Sequence, residues 1–171
     1  MSHRSILETD RLTLREIVDT DAAFANALLN SPGFLQYIGD RGVRSDEDAA
    51  TFINDRYRAS YRDHGYGLWV VDAKDEQRPV GLCGFVKRDY FEHPDLGFAY
   101  LPEDCRKGYG YEAAVATMNF GREELGFTKV LAITSLDNEA SIGLLTKLGF
   151  AFDGIIQPQD EKLRQFSYTY A

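Results

Sequence analysis

Gly108 and Gly110 stand one residue apart, between a segment that alternates like a strand (residues 95–101) and one with helical spacing (110–125). A strand that passes through a short loop into a helix start leaves backbone N–H groups pointing outward, and the aligned peptide dipoles add partial positive charge there. Without side chains at the two glycines, an anion can approach the main chain closely. Arg106 and Lys107, just upstream, add cationic donors. The same residues also suit an ordinary exposed loop, so the turn by itself leaves both readings open.

Residues 11–15 alternate polar and apolar and read as a first strand. Asp19, Thr20 and Asp21 supply N-cap chemistry for a helix through Ala23, Phe24, Ala27 and Leu28, which Ser31-Pro32-Gly33 ends. Ser45 caps a second helix whose inner face carries Phe52, Ile53, Tyr57 and Tyr61. Strands at 66–72, 79–87 and 95–101, joined by short turns, form an antiparallel meander. After the glycine turn come the helix at 110–125, stopped by Gly126, and a buried strand at 130–133. A helix at 138–148, capped by Asn138 and stopped by Gly149, precedes a closing hairpin of 150–156 with 162–170. The order β-α-α-β-β-β-α-β-α-β-β predicts an α/β fold with one mixed sheet, and 171 residues suit a single domain, 1–171.

A hydrophobic content of 44% with 13% aromatics excludes disorder. A net charge of −8 argues against a broad basic surface for nucleic acid and suits a cationic partner, an amine or a basic peptide, as well as solubility. Cys83 and Cys105 lack metal-ligand spacing and fit a reducing compartment. No apolar run approaches membrane-spanning length and no signal-peptide core follows Met1-Ser2-His3-Arg4, so the expectation is a cytoplasmic chain without membrane or metal.

Three phosphate-binding readings compete. A Walker-type loop needs four residues between its glycine and Gly-Lys-Ser/Thr, and that spacing is absent. Gly108-Tyr109-Gly110-Tyr111-Glu112-Ala113 fits the dinucleotide fingerprint G-x-G-x-x-A literally, with Asp137 as a ribose acid, which would make a nicotinamide-dependent dehydrogenase. That fold, however, places its glycines directly after its first strand, whereas here a meander and two helices come first.

The third reading is a resemblance. Asp95-Leu96-Gly97-Phe98, then Leu101-Pro102-Glu103, Lys107-Gly108-Tyr109 and Glu112-Ala113, resemble the fourth strand, pyrophosphate loop and third helix of the GCN5-related N-acetyltransferases (GNAT). Asn138 with Ser141 and then Lys147-Leu148-Gly149-Phe150 resemble that family's next motif, and Leu7-Glu8-Thr9-Asp10-Arg11-Leu12 is similar to the opening of its ribosomal-protein alanine acetyltransferase branch. Two departures stand out. Cys105 and Arg106 replace a Gln or Arg and a glycine common in the family, and Leu145 stands where many members carry a tyrosine that protonates the departing thiolate.

The resemblance implies a single GNAT domain whose fourth and fifth strands splay around acetyl-CoA, used as co-substrate without a metal. It implies that the main chain of Tyr100 and Leu101 holds the pantetheine arm and that Arg106, Lys107, Gly108, Tyr109, Gly110 and Tyr111 hold the diphosphate. Asn138, also a good N-cap, would touch the arm. Ser141, in place of the missing phenol, would serve the sulfur as hydrogen-bond donor or acid, and Asp95 would be the general base, with Glu92 and His93 as neighbours; His64 reads as a turn residue. Phe34, Tyr37, Tyr90, Phe91 and residues 157–161 would border an acceptor amine, with Asp89, Glu92, Asp160 and Glu161 drawing its charge. The acceptor would be a small molecule or a peptide N-terminus. Family members often dimerise. A catalytically inactive coenzyme A-binding sensor or scaffold is the alternative that Leu145 raises.

Overall fold

The computed structural model describes residues 4–171. An eight-stranded mixed sheet runs in the order β1-β2-β3-β4-β5-β6-β8-β7. Its strands are β1 (Ser5–Glu8), β2 (Leu12–Arg15), β3 (Leu68–Ala73), β4 (Arg78–Val86), β5 (Asp95–Tyr100), β6 (Lys129–Ser135), β7 (Ala151–Ile156) and β8 (Leu163–Thr169). Every neighbouring pair is antiparallel except β5 with β6. The helices are α1 (Ala22–Leu29), α2 (Pro32–Tyr37), α3 (Asp46–Phe52), α4 (Ala59–His64), α5 (Tyr109–Glu123) and α6 (Glu139–Leu148). A π-helical stretch, Ile53–Arg58, joins α3 to α4.

Two apolar layers sandwich the sheet. On one face α5 and α6 bury Ala113, Ala114, Met118 and Leu145 against Trp69, Cys83, Phe85, Val130 and Phe166. On the other, Leu28, Phe34, Ala49, Ile53 and Tyr57 pack on Val70 and Leu82. Strand alternation explains the division, since successive residues of β4 point to opposite faces. Leu82 faces α1 and α3, whereas Cys83 and Phe85 face α5.

Most predicted elements appear within a few residues of their expected ends. Gly126 and Gly149 take positive φ, +71° and +98°, as helix stops should. Two differences have physical causes, and the closing hairpin adds a pairing not anticipated from the sequence. β1 is an added strand whose adjacent half-buried Ile6 and Leu7 give no alternating signal, so the expected fourth and fifth strands are β5 and β6. Pro32 does not simply end a helix; it occupies the first turn of α2, where its missing N–H is harmless. The closing hairpin folds so that β8, not β7, pairs with β6, leaving β7 at the sheet edge.

Candidate active site

The parallel pair β5–β6 is joined by one register partner, Asp95 opposite Leu131, with Leu131 N–H donating to the Pro94 carbonyl at 2.9 Å. Beyond that point the strands part. Because Leu101 N–H donates to Val80 at 2.9 Å, the main chains of Ala99 and Gly97 face β4, and alternation turns those of Phe98 and Tyr100 into the gap. The same alternation turns Ile133 and Ser135 of β6 toward it. The Leu101 main chain is already engaged, since its carbonyl also accepts from Asp104 N–H at 2.9 Å. Of the two positions expected to hold an extended arm, Tyr100 therefore offers an open N–H, while its carbonyl has a long contact from the Cys105 thiol at 4.0 Å. The buried hydroxyls of Tyr100, Thr134 and Ser135 find no partner among the described residues; alternation sets Tyr100 and Thr134 on the α5–α6 face and Ser135 on the other.

α5 starts just after β5 and α6 just after β6, so both helix N-termini lie at the open end of this cleft. The path into α5 is a 3-10 turn, Pro102–Asp104, then a loop in which Arg106 (φ 65°) and Gly108 (φ 83°) are left-handed. Alternating hands of this kind can turn successive N–H groups to one side, the geometry of an anion nest. The amides from Arg106 to Tyr111 have no internal acceptor among the described residues, and the first helical bond is Glu112 N–H to the Gly108 carbonyl at 3.2 Å. Arg106 holds a conformation that disfavours an L side chain by about 1–2 kcal/mol, a physical reason for glycine to suit that position.

Carboxylates flank the loop at both ends. Asp104 is buried and accepts from Arg78 at 2.6 and 2.8 Å and from Lys107 Nζ at 3.1 Å. Burial opposes its charge, yet these cations prevail and hold its pKa below the ordinary range. Lys107 is thus occupied by Asp104, while Arg106 has no ion-pair partner among the described residues. Glu112 accepts from Arg11 Nε at 2.7 Å, Arg11 N–H at 3.0 Å and Thr9 Oγ1 at 2.5 Å. Sequence reasoning gave Thr9, Arg11, Arg78 and Asp104 no role. The visible signal was Glu112, a first-turn acid that the helix dipole alone would explain.

At the other helix start, Asn138 caps α6 by accepting from Ser141 N–H through Oδ1 at 3.2 Å, and its NH2 group has no partner among the described residues. The Ser141 hydroxyl, in a half-buried residue one turn in, also has no partner among the described residues. Leu145, one turn further, is buried against the sheet. α5 and α6 meet where Lys147 sits 4.1 Å over the Tyr111 ring and where Gly110 lies between Leu144 and Tyr100.

Asp95 sits at the closed end of the cleft, opposite Val86 and hence on the α1–α3 face with Leu82. It is 1% exposed, not solvated as a strand-start carboxylate would be. Burial pushes its pKa up to about 6, against a hydrogen bond from Arg88 Nε at 3.1 Å. The cleft thus separates the two catalytic candidates, Asp95 at its closed end and Ser141 near its mouth. His64 ends α4 and stacks on Tyr66, 5.8 Å between rings. Phe34 and Phe91 are buried, Tyr37 is half-buried, and Tyr90, Asp89, Glu92, Asp160 and Glu161 are exposed. No group that could hold a metal occurs among the described residues, and no helix there is long and apolar enough to cross a membrane. Both cysteines are free thiols.

Known proteins share this fold. Residues 11–151 match the family described as acetyltransferase (GNAT) domain. The chain is 32% identical over 164 residues to the uncharacterised N-acetyltransferase YoaA of Bacillus subtilis, covering 95% of this chain and 88% of that protein. It is 25% identical over 142 residues to the spermidine N(1)-acetyltransferase of Escherichia coli, covering 82% and 73%. Among solved structures, RimL, a ribosomal L7/L12 alpha-N-protein acetyltransferase in complex with coenzyme A, superposes with a TM-score of 0.83 at 15% identity, covering 97% and 98%. The splayed strands, the glycine loop and these matches together show that the chain belongs to the GNAT family and is an acetyl-CoA-dependent acetyltransferase.

Proposed function

We propose that the chain acts as a single unit that transfers acetyl directly from acetyl-CoA to a primary amine, borne by a small molecule or a peptide N-terminus. The observation that carries this reading is a buried carboxylate, Asp95, with a pKa raised to about 6, at the closed end of a cleft whose mouth is an anion nest. A base titrating just below neutrality is ionised at working pH and still able to accept a proton.

Acetyl-CoA supplies the activated acyl carbon and the sulfur that leaves as the new C–N bond forms. The chain's residues do the rest. The amides of the loop from Arg106 to Tyr111 hold the diphosphate, and the cleft-facing main chains of Phe98 and Tyr100 pair with the arm as an added strand would. An N–H from this stretch stabilises the negative charge that grows on the acyl oxygen. Asp95 takes the amine's proton through a water, and Arg88 keeps the carboxylate oriented. The Ser141 hydroxyl donates to the departing sulfur, and the free NH2 of Asn138 binds the arm. The spermidine acetyltransferase relative and the exposed acids Asp89, Glu92, Asp160 and Glu161 support a cationic acceptor.

Thiol release measured across polyamines, aminoglycosides, amino acids and peptide N-termini should reveal steady turnover with at least one amine class. Tight coenzyme A binding with no turnover on any of them would instead support a sensor. With an accepted amine, Ser141→Ala should lower kcat about tenfold and leave coenzyme A affinity within about twofold, since the hydroxyl acts on a charge that develops late. Unchanged kcat would place the sulfur's donor elsewhere.

A further inference from the structure

Two carboxylates beside an anion site are electrostatically misplaced if they act only as local charges. Asp104 and Glu112 bracket the loop, and each reaches far across the chain. Asp104, whose side chain is 0% exposed, grips Arg78 at the start of β4 with both oxygens. Glu112 grips Thr9 and Arg11 in the turn between β1 and β2. Both arrangements converge on Lys107. Its ammonium goes to Asp104 at 3.1 Å, and its carbonyl accepts from Arg11 Nη1 at 2.9 Å. Arg11 also lies over the Tyr109 ring at 4.8 Å. The peptide between the two left-handed residues, Arg106 and Gly108, is therefore tied from both sides.

We propose that Asp104 and Glu112 are positioning residues for the cofactor, moorings that hold the loop amides open while withdrawing Arg78, Lys107 and Arg11 from the ligand, so that Arg106 is the loop's working cation. The inference rests on the reading that this loop takes the diphosphate. It deepens that reading by separating the shape of the loop from its charge. Pre-set amides bind an anion without first being ordered, and that ordering is what the moorings provide.

The sign of the effect is diagnostic. Neutralising either carboxylate makes the site more positive, so a purely electrostatic role predicts tighter coenzyme A binding. A mooring role predicts weaker binding. Calorimetric titration with coenzyme A should show Glu112→Gln and Asp104→Asn each weakened about tenfold, with kcat at saturating acetyl-CoA within about twofold of the parent. Arg11→Gln should weaken binding by a similar factor and add little to Glu112→Gln, because the two residues form one unit. Arg106→Gln should weaken binding about five- to tenfold, and Lys107→Gln by less than about twofold.

Should Asp104→Asn fail to fold, Glu112→Gln and Arg11→Gln, whose partners are partly exposed, carry the test alone. Equal or tighter binding by Glu112→Gln, or a larger loss at Lys107 than at Arg106, would overturn the proposal. Bulky substitution of Gly108 separates the two levels of the argument. If it leaves binding intact, the loop is not the cofactor site at all. If it abolishes binding while the carboxylate variants behave as the parent, the loop stands and the moorings do not.

Discussion

Replacing Asp95 by asparagine is expected to lower acetyl transfer by about 10²–10⁴-fold near neutral pH, the span of a positioned general base, while leaving the protein as stable as before or more so. The two effects share one origin. A carboxyl moved from a pKa of 3.8 to about 6 by burial resists ionisation in the folded state. Between those values the folded chain keeps a proton that the unfolded chain has released. Its contribution to stability is therefore full below about pH 4 and declines as pH rises through about 6. By neutral pH the deficit approaches roughly 2–3 kcal/mol. Asparagine escapes it, and Arg88, 31% exposed in its side chain, can turn to water.

Thermal melts at pH 4.5 and 7.5 would check this, with the asparagine variant gaining on the parent as pH rises. The parent's rate should fall as pH drops below about 6, and the variant should lose that limb. A fully active Asp95→Asn protein would move the base to Glu92 or His93. A site that holds a destabilising charge where it is needed trades stability for activity.

Gly108→Val is the second large effect, expected to weaken coenzyme A by about a hundredfold or more. Gly108 has φ +83°, and a β-branched residue there is a steric outlier. A Cβ would also lie 3.1 Å from Arg11 Nη2, so the side chain that ties Lys107 must move as well. Loss of two or three amide bonds to an anion, each worth roughly 1.5 kcal/mol, gives a factor of that order. Gly110 provides the control. Its Cβ would meet Leu144 at 3.4 Å and Tyr100 at 3.6 Å, ordinary contacts, so Gly110→Ala should bind coenzyme A nearly as the parent does. Titration of the two variants side by side tests the assignment, and equal losses would show that bulk anywhere in the turn, not the left-handed backbone, is what matters.

Features that could be read from the residues were those written locally. Asn138 before an apolar-periodic run, Gly126 and Gly149 after one, and the glycines at the start of α5 all act within a turn or two of chain. The family motifs added the cleft between β5 and β6, which no periodicity reveals. What stayed hidden depends on distance or burial. Arg11 with Glu112 and Arg78 with Asp104 pair residues far apart in the chain, and charged side chains in a loop or first helical turn read as solvated. The burial of Asp95 stayed hidden for the same reason, because a carboxylate opening a strand carries no mark of the packing that will enclose it. Pro32 could stop one helix or start another, and only the surrounding packing chose.

The single bridge between β5 and β6 carries a further consequence. A sheet that parts in its middle presents two unsatisfied backbone rims inside the molecule, where neither a charged edge residue nor a covering helix can shield them. Whatever settles between them completes the hydrogen-bond ladder and favours the native state by mass action. On the proposed reading of the cleft, the folded fraction of such a protein rises with the concentration of its donor, so stability and substrate supply are linked.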